Sequence, residues 1–535
     1  MELSGCTGMM DVMKKRFLVI SLLIWGMAGM IFPAFAEIRV SSAFTDNAVL
    51  QREKPINIWG WAEPGEKITV SFNGQTVKGE ADSSGKWLLQ LPAMSGFCEG
   101  KELVAEGENN RVALQNIVVG EVWVCSGQSN MEWTLGMGDM MPDGEPRYAA
   151  TFEERTGNYD FVRYNRNEYL LSKTPMDDVV SNSGWVVCKE GQQANCTAVG
   201  FHFAVRLYQE LHVPVGLISS SWGGSFIESW MPDECWERYP VIRDFGAGKL
   251  AERVAAENCE YAHAGGMFYA KVAAWIPYTI RGVIWYQGCA NSCDSTEMYY
   301  YKQRAMIEQW RAAWGQGDFP FYWVQLAAWE APQDDPNYVK GDTQTAWYAH
   351  TFKTPDTDSG AARGFVWVRD AQTRCLEIPH TGQAITIDAG EEKDIHPRNK
   401  FIVGNRLALW ALANDYGKNV TFASPVMKSV QYMEGKAIVR FDNVDQGLMV
   451  GKLNDRQVDR VENGELKRFA IAGQDRKFCW GTARIVDNNT VEIESPNVPE
   501  PVAVRYAWQM NPEGCNLYNS AGLPATPFRT DDWEE

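Results

Sequence analysis

The chain has 535 residues, 45% of them hydrophobic and 22% charged, with a formal net charge of −18 at pH 7. Such a length calls for two to four domains, and such a composition excludes a disordered or fibrous chain. Lys and Arg are scattered and outnumbered, which argues against a nucleic-acid-binding face.

The N-terminus reads as an export signal. Lys14-Lys15-Arg16 precede an apolar stretch from Phe17 to Phe32, and Ala34-Phe35-Ala36 forms a small-x-small cleavage site. Residues 1–36 are therefore expected to be a signal peptide, with Glu37 first in the mature chain. Met13 reads as the natural start, which makes Met1 to Val12 an upstream extension. The apolar stretch is short for a membrane span and no later segment qualifies. The expectation is an exported protein, periplasmic or extracellular, without a membrane span. Eleven cysteines remain after Cys6 is removed with the leader. An odd number in an exported chain implies at least one free thiol. Cys188 with Cys196, or Cys289 with Cys293, could bridge. No spacing of Cys and His suggests zinc, and His202 and His212 read as structural.

Residues 37–115 carry short alternating runs at Ile56–Trp61, Ile68–Phe72 and Trp87–Leu91, punctuated by Pro64-Gly65, Asn73-Gly74 and Ser84-Gly85. Period-two runs at this spacing predict a β-sandwich domain. Residues 116–416 change character. Apolar strand candidates at Ile117–Cys125, Phe161–Tyr164, Val213–Ser219, Gly282–Tyr286, Phe319–Gln325 and Ala384–Asp388 alternate with helical spacing. The helices are expected at Ala198–Leu211, Glu297–Trp314, Ala361–Leu376 and Lys400–Ala413. This order predicts a mainly parallel sheet covered on both faces. From 417 to 535 the pattern returns to β, with strands at Ala437–Phe441, Phe469–Ala472 and Ala503–Trp508. The 22 tryptophans read mostly as core.

Four stretches of the middle region carry the chemistry. Strand Ile117–Cys125 stops at Ser126-Gly127-Gln128-Ser129-Asn130, which leaves the Ser129 hydroxyl at the carboxyl end of a sheet, where open α/β sheets bind ligands. A second strand runs into Trp222-Gly223-Gly224, whose backbone N–H groups can face a developing oxyanion. A third ends at Gln287-Gly288, with Asn291 three residues on as a further donor. The fourth is Asp394-x-His396 in a polar loop before a helix. In an extended loop residues i and i+2 share a side, so Asp394 can hold one imidazole nitrogen while the other faces Ser129. The bland alternatives are that Asp394 only starts the turn, or that it belongs to a solvated acidic run with Glu391 and Glu392.

With SGQSNMEW, SWGGSFIESW, WYQGCANS, DIHPRNK and the closing PVAVRYAWQMNPEGCNLYNSAGLPATPFRT, the sequence resembles the sialate O-acetylesterase family of the SGNH (GDSL-like) hydrolases over nearly all of the mature chain. The resemblance implies an SGNH-like parallel sheet flanked by helices, with an N-terminal β-sandwich and a C-terminal β-rich module. It implies a carbohydrate acetylesterase that needs no cofactor or metal and acts on an O-acetylated sugar. Ser129 would be the nucleophile, with Asp394 and His396 completing the triad. Ser129 N–H, Gly223 or Gly224, and Asn291 would form the oxyanion hole. Trp133, Trp222, Trp230 and Tyr286 flank the motif loops, where any could stack on a sugar; Gln128, Trp133, Trp222 and Gln287 would line the substrate, and Arg369 is the family position for a sialate carboxylate. This chain has Gly288-Cys289-Ala290-Asn291 where the family often has Gly-Glu-Ser-Asn, so a loop carboxylate is lost. Acetylated xylan or pectin remains an alternative substrate, and a catalytically silent sugar-binding protein an alternative role. The oligomeric state is left open.

Overall fold

A computed structural model describes residues 37–140, 146–181, 183–243, 264–292, 294–330, 335–336 and 364–533. The expected signal peptide and Cys293 lie outside them.

The N-terminal region forms strands β1 (Arg39–Val40), β2 (Val49–Gln51), β3 (Ile56–Trp61), β4 (Lys67–Phe72), β5 (Gln75–Glu80), β6 (Lys86–Leu91) and β7 (Phe97–Glu106). β1, β3 and β6 make one small sheet. Strand β8 (Arg111–Gly127) is 17 residues long and belongs to two regions at once. Its first half pairs antiparallel with β7, and Val118–Gly120 pair with β2. Its second half, from Glu121, is the centre of the parallel sheet. No linker marks the expected boundary at residue 115. One strand crosses it, because Val112, Ala113 and Leu114, upstream of the apolar run, pair with Ala105, Val104 and Leu103 of β7.

After a small β9 (Gly138–Met140) and β10 (Pro146–Tyr148) ladder, the chain forms β11 (Asn158–Arg166), β12 (Trp185–Lys189), β13 (Val215–Ser221), β14 (Gly282–Tyr286), β15 (Phe321–Val324) and β16 (Thr381–Ala384). The order is β12-β11-β13-β8-β14-β15-β16. All neighbours from β11 to β16 are parallel, and β12 is an antiparallel edge. From β8 the chain moves to one side for β11 and β13, then to the other for β14 to β16. The carboxyl end of β8 is thus a topological switch point, where such sheets open a crevice. The last strand starts at Thr381 and stops at Ala384, earlier than the expected Ala384–Asp388.

The helices are α1 (Ser129–Glu132), α2 (Phe152–Thr156), α3 (Ala198–Leu211), α4 (Thr296–Trp314), α5 (Phe365–Arg374) and α6 (Lys400–Asn414). Strand alternation shows which face each covers. Trp123 and Tyr322 point to one face, where they meet Phe203 of α3 and Trp410 of α6. Trp285 and Phe321 point to the other and meet Trp310 of α4. Trp123, Trp185, Trp230, Trp275, Trp285, Trp310, Trp323 and Trp508 are among the largest fully buried side chains, so these tryptophans serve packing rather than sugar stacking. Cys188 and Cys196, a possible bridge, are buried free thiols lying against each other, and Cys289 is also free.

The C-terminal region packs its own core around Val439, Phe441, Phe469, Ile471, Val491, Ile493 and Val504. It grips the middle region at defined points. Arg406 binds Asp388 through two hydrogen bonds of 2.6 and 2.7 Å, and Tyr518 donates to the same carboxylate. Arg456 donates twice to Glu154 of α2, at 2.7 and 2.8 Å. Burial opposes ionisation of Glu154. The hydrogen bonds from Arg456 and from the Thr151 N–H, with the charges nearby, win and bring it from an ordinary 4.5 down to about 2. A carboxyl depressed on folding adds stability above its unfolded pKa and loses it as pH falls through the folded one. The clamp should therefore hold at pH 5 and weaken progressively between about 4.5 and 2. Hydrogen exchange of residues 454–457 across that range checks it, and Arg456→Gln should remove the pH dependence.

Candidate active site

The site starts from backbone geometry at the end of β8. Gly127 has φ +131°, and a Cβ there would lie 2.2 Å from the Tyr286 carbonyl oxygen. Only glycine lets β8 and β14 approach this closely before the chain turns. The Gln128 N–H then bonds to Tyr286 O at 2.9 Å, and α1 begins with Ser129 as its first residue.

Ser129 Oγ lies 2.9 Å from His396 Nε2. On the far side of the ring, Nδ1 is 3.4 Å from Asp394 Oδ1, which also accepts the His396 backbone N–H at 2.8 Å. The His396 and Asp394 side chains are 27% and 30% exposed, so the constellation opens to solvent. Trp133 packs on the imidazole with ring centroids 5.1 Å apart. The three residues are brought together across 267 positions of sequence. Glu391 is not part of a solvated acidic run with Asp394. It binds the Arg398 guanidinium and backbone N–H and so braces the histidine loop.

Two residues missed in the sequence fasten that loop to the nucleophile turn. Asn130 donates to Ile395 O at 3.0 Å, while its own side-chain oxygen accepts from Lys400. Lys400 is wholly buried, and burial outweighs the nearby Asp394 to bring its ammonium down to about 7. Asn130 follows the nucleophile directly, and that adjacency was the only clue in the sequence.

The other predicted positions fall differently. Asn291 is buried, and its amide donates to Glu228 at 2.9 Å and Asp294 at 3.0 Å, while its oxygen accepts from Ile227 N and Gln287. Both amide hydrogens are engaged, so the expected oxyanion donor is instead a tie within a buried network. Lys302 closes this network with 2.8 Å contacts to both carboxylates. Gln287 is equally committed, donating to Ser225 O and Asn291 and accepting from Tyr299. Gln128 accepts from Gly288 N and Ala290 N and so joins the third loop to the first. Gln287 is therefore not available to line a substrate as expected, whereas Gln128 keeps its side-chain amide N–H groups without a partner among the described residues.

Arg369 is 2% exposed. Its guanidinium donates to the carbonyls of Leu326, Ala327, Gln509 and Met510. The expected carboxylate ligand is a structural strut, because four backbone oxygens consume its donors. Trp222 is half-buried against Tyr169, with centroids 4.9 Å apart, and it stays at the rim of the site.

Gly223 lies beside Ser129, where its Cβ would be 3.5 Å from the serine Cβ. Its N–H donates to the Glu132 carboxylate at 2.6 Å. The N–H groups of Ser129 and Gly224 have no partner among the described residues. Among those residues no three His, Cys, Asp or Glu are grouped as a metal site would require. A serine, a histidine and a carboxylate at these distances, with open backbone donors, can carry out nucleophilic acyl transfer.

Comparison with known proteins agrees with this chemistry. The model of the carbohydrate esterase family described as sialic acid-specific acetylesterase matches residues 119–359. Sialate O-acetylesterase of Homo sapiens is 28% identical over 556 residues, covering 96% of this chain and 95% of that protein. The Mus musculus sialate O-acetylesterase is 27% identical, covering 91% and 93%. The crystal structure of a carbohydrate acetylesterase from Xanthomonas citri matches with a TM-score of 0.76 and 32% identity, over 93% of this chain and 100% of that one.

Proposed function

The chain belongs to the sialate O-acetylesterase family of carbohydrate esterases and is a carboxylic ester hydrolase, and from that premise we propose that it is an exported carbohydrate O-acetylesterase, acting on 9-O-acetylated sialate through a Ser129–His396–Asp394 acyl-enzyme mechanism on an SGNH-type sheet. The observation that carries the reading is the 2.9 Å contact between Ser129 Oγ and His396 Nε2 at the switch point of a parallel sheet.

In this mechanism His396 takes the Ser129 proton as Oγ attacks the acetyl carbonyl. The charge that develops on the carbonyl oxygen is met by backbone N–H groups of the first two loops. His396 then protonates the departing sugar hydroxyl, leaving an acetyl-Ser129 ester. The same imidazole activates water, acetate leaves, and the proton returns to Ser129. Asp394 orients the ring and stabilises the imidazolium without taking up a proton. Residues 1–36 supply the export signal of this reading.

A neutral acetylated polysaccharide such as xylan is the second reading, and the commitment of Arg369 to backbone carbonyls favours it. Acetate release from 9-O-acetylated sialate and from acetylated xylan decides between them. Cleavage of the polymer alone removes the sialate reading. Arg369→Lys should leave the ratio of the two rates within about threefold while lowering stability by about 2–4 kcal/mol, since a lysine cannot span four carbonyls. A selective loss on the sialate would return Arg369 to substrate binding. Urea melts and the substrate ratio, measured on one preparation, supply both numbers.

A further inference from the structure

Glu132 sits three residues after Ser129 on the single turn of α1, so the two side chains are neighbours on one helical face. Its side chain is only 12% exposed, yet it carries a carboxylate. Burying that charge is unfavourable unless it is paired and hydrogen-bonded, and here it is both. Oε2 accepts the Gly223 N–H at 2.6 Å. Oε1 accepts from the Tyr169 hydroxyl and lies 3.3 Å from Arg166 Nη2. Lys271, nearly buried and donating to Glu168 O, lies close by as well, and burial still holds the Glu132 carboxyl above the ordinary carboxylate range. Arg166 is the last residue of β11, at the same sheet rim as Ser129.

Space is tight at this junction. A Cβ on Gly223 would lie 3.0 Å from Glu132 Oε2 and 3.5 Å from Ser129 Cβ. The nucleophile, the carboxylate and the turn after β13 therefore share one contact point. The Gly223 N–H is spent there and cannot face an oxyanion while Glu132 holds it. Gly224 follows at φ +72° with open space where a side chain would stand. Its N–H, like that of Ser129, is without a partner among the described residues.

We propose that Glu132 is a positioning residue that anchors the Gly223–Gly224 turn through the Gly223 N–H, so that the N–H groups of Gly224 and Ser129 are the pair presented to the oxyanion. The inference rests on the esterase reading above. Glu132 touches neither substrate nor the reacting atoms. It acts by fixing a donor whose misplacement by about 1 Å can cost on the order of a hundredfold in rate. Arg166 and Tyr169 fix the carboxylate in turn, which explains why a charged side chain is kept beside a nucleophile that must lose a proton.

The test compares Glu132→Ala and Glu132→Gln with the unmodified enzyme on p-nitrophenyl acetate, with Ser129→Ala as the blank. Glutamine keeps an oxygen for the Gly223 N–H and should stay within about tenfold of wild type in kcat. Alanine should lower kcat about 100-fold and change KM less than about threefold. The rate of labelling by an organophosphonate should fall with kcat, at unchanged circular dichroism. Glu132→Met replaces the alanine variant if that does not fold. A kcat within threefold of wild type for Glu132→Ala overturns the proposal. A faster variant overturns it too, by making Gly223 the donor that Glu132 blocks, and so does a glutamine variant as slow as the alanine one. Hydrolysis by wild type no faster than the Ser129→Ala blank would sink the esterase reading itself.

Discussion

Ser129→Ala will lower kcat on an acetyl ester by on the order of 10⁴-fold or more. The Ser129 hydroxyl meets His396 Nε2 at 2.9 Å at the carboxyl end of β8. Without it the imidazole has no hydroxyl to deprotonate, and what remains is binding and a backbone-lined oxyanion site. His396→Ala should lose a similar factor, and the double variant should be no worse than either single one. Residues that act as one unit do not contribute additively. Acetate release by the three variants checks this. Comparable rates in wild type and Ser129→Ala would refute the acyl-enzyme mechanism.

Lys302→Met will lower stability by about 3–5 kcal/mol, the largest effect expected of a single substitution away from the triad. Lys302 is fully buried and lies 2.8 Å from both Glu228 and Asp294, which are also buried. Methionine matches the length of the lysine stem but takes away the positive charge that both carboxylates contact. The attraction is lost while the desolvation penalty stays. Adding Glu228→Gln and Asp294→Asn removes the stranded charges and should recover much of the loss. Buried ion pairs can often be replaced as a whole more cheaply than they can be broken. Urea unfolding of the single and triple variants, followed by tryptophan fluorescence, measures the difference. A single variant within about 1 kcal/mol of wild type would show that water reaches the network.

The same network explains why Asn291 was misread. In the sequence it is an asparagine three residues past a strand that ends at the active-site rim. That placement is right, since β14 does end beside β8. What its amide does depends on Glu228, 63 positions away, and on Asp294, three residues on. Arg369 was misread for a similar reason. Its position in the chain says nothing about Gln509 and Met510, whose carbonyls it reaches from 140 residues or more away. Glu132 was passed over because a glutamate on a short helix reads as solvated until β11 and the turn after β13 close over it.

The sequence by itself determined the local elements and which serine and histidine to look for at the rim of the sheet, where the two stand 2.9 Å apart. Helix Ala198–Leu211 and strands Ile56–Trp61 and Gly282–Tyr286 stand where periodicity put them, because apolar spacing is a property of neighbouring residues. The order of strands and loops likewise pointed to Ser129 and His396. Only the tertiary structure decided which donors and charges were still unspent once the loops met. A hydrogen-bonding group buried in an interior takes whatever partner lies nearest, and in this chain the partners of Asn291, Arg369 and Gly223 come from distant segments.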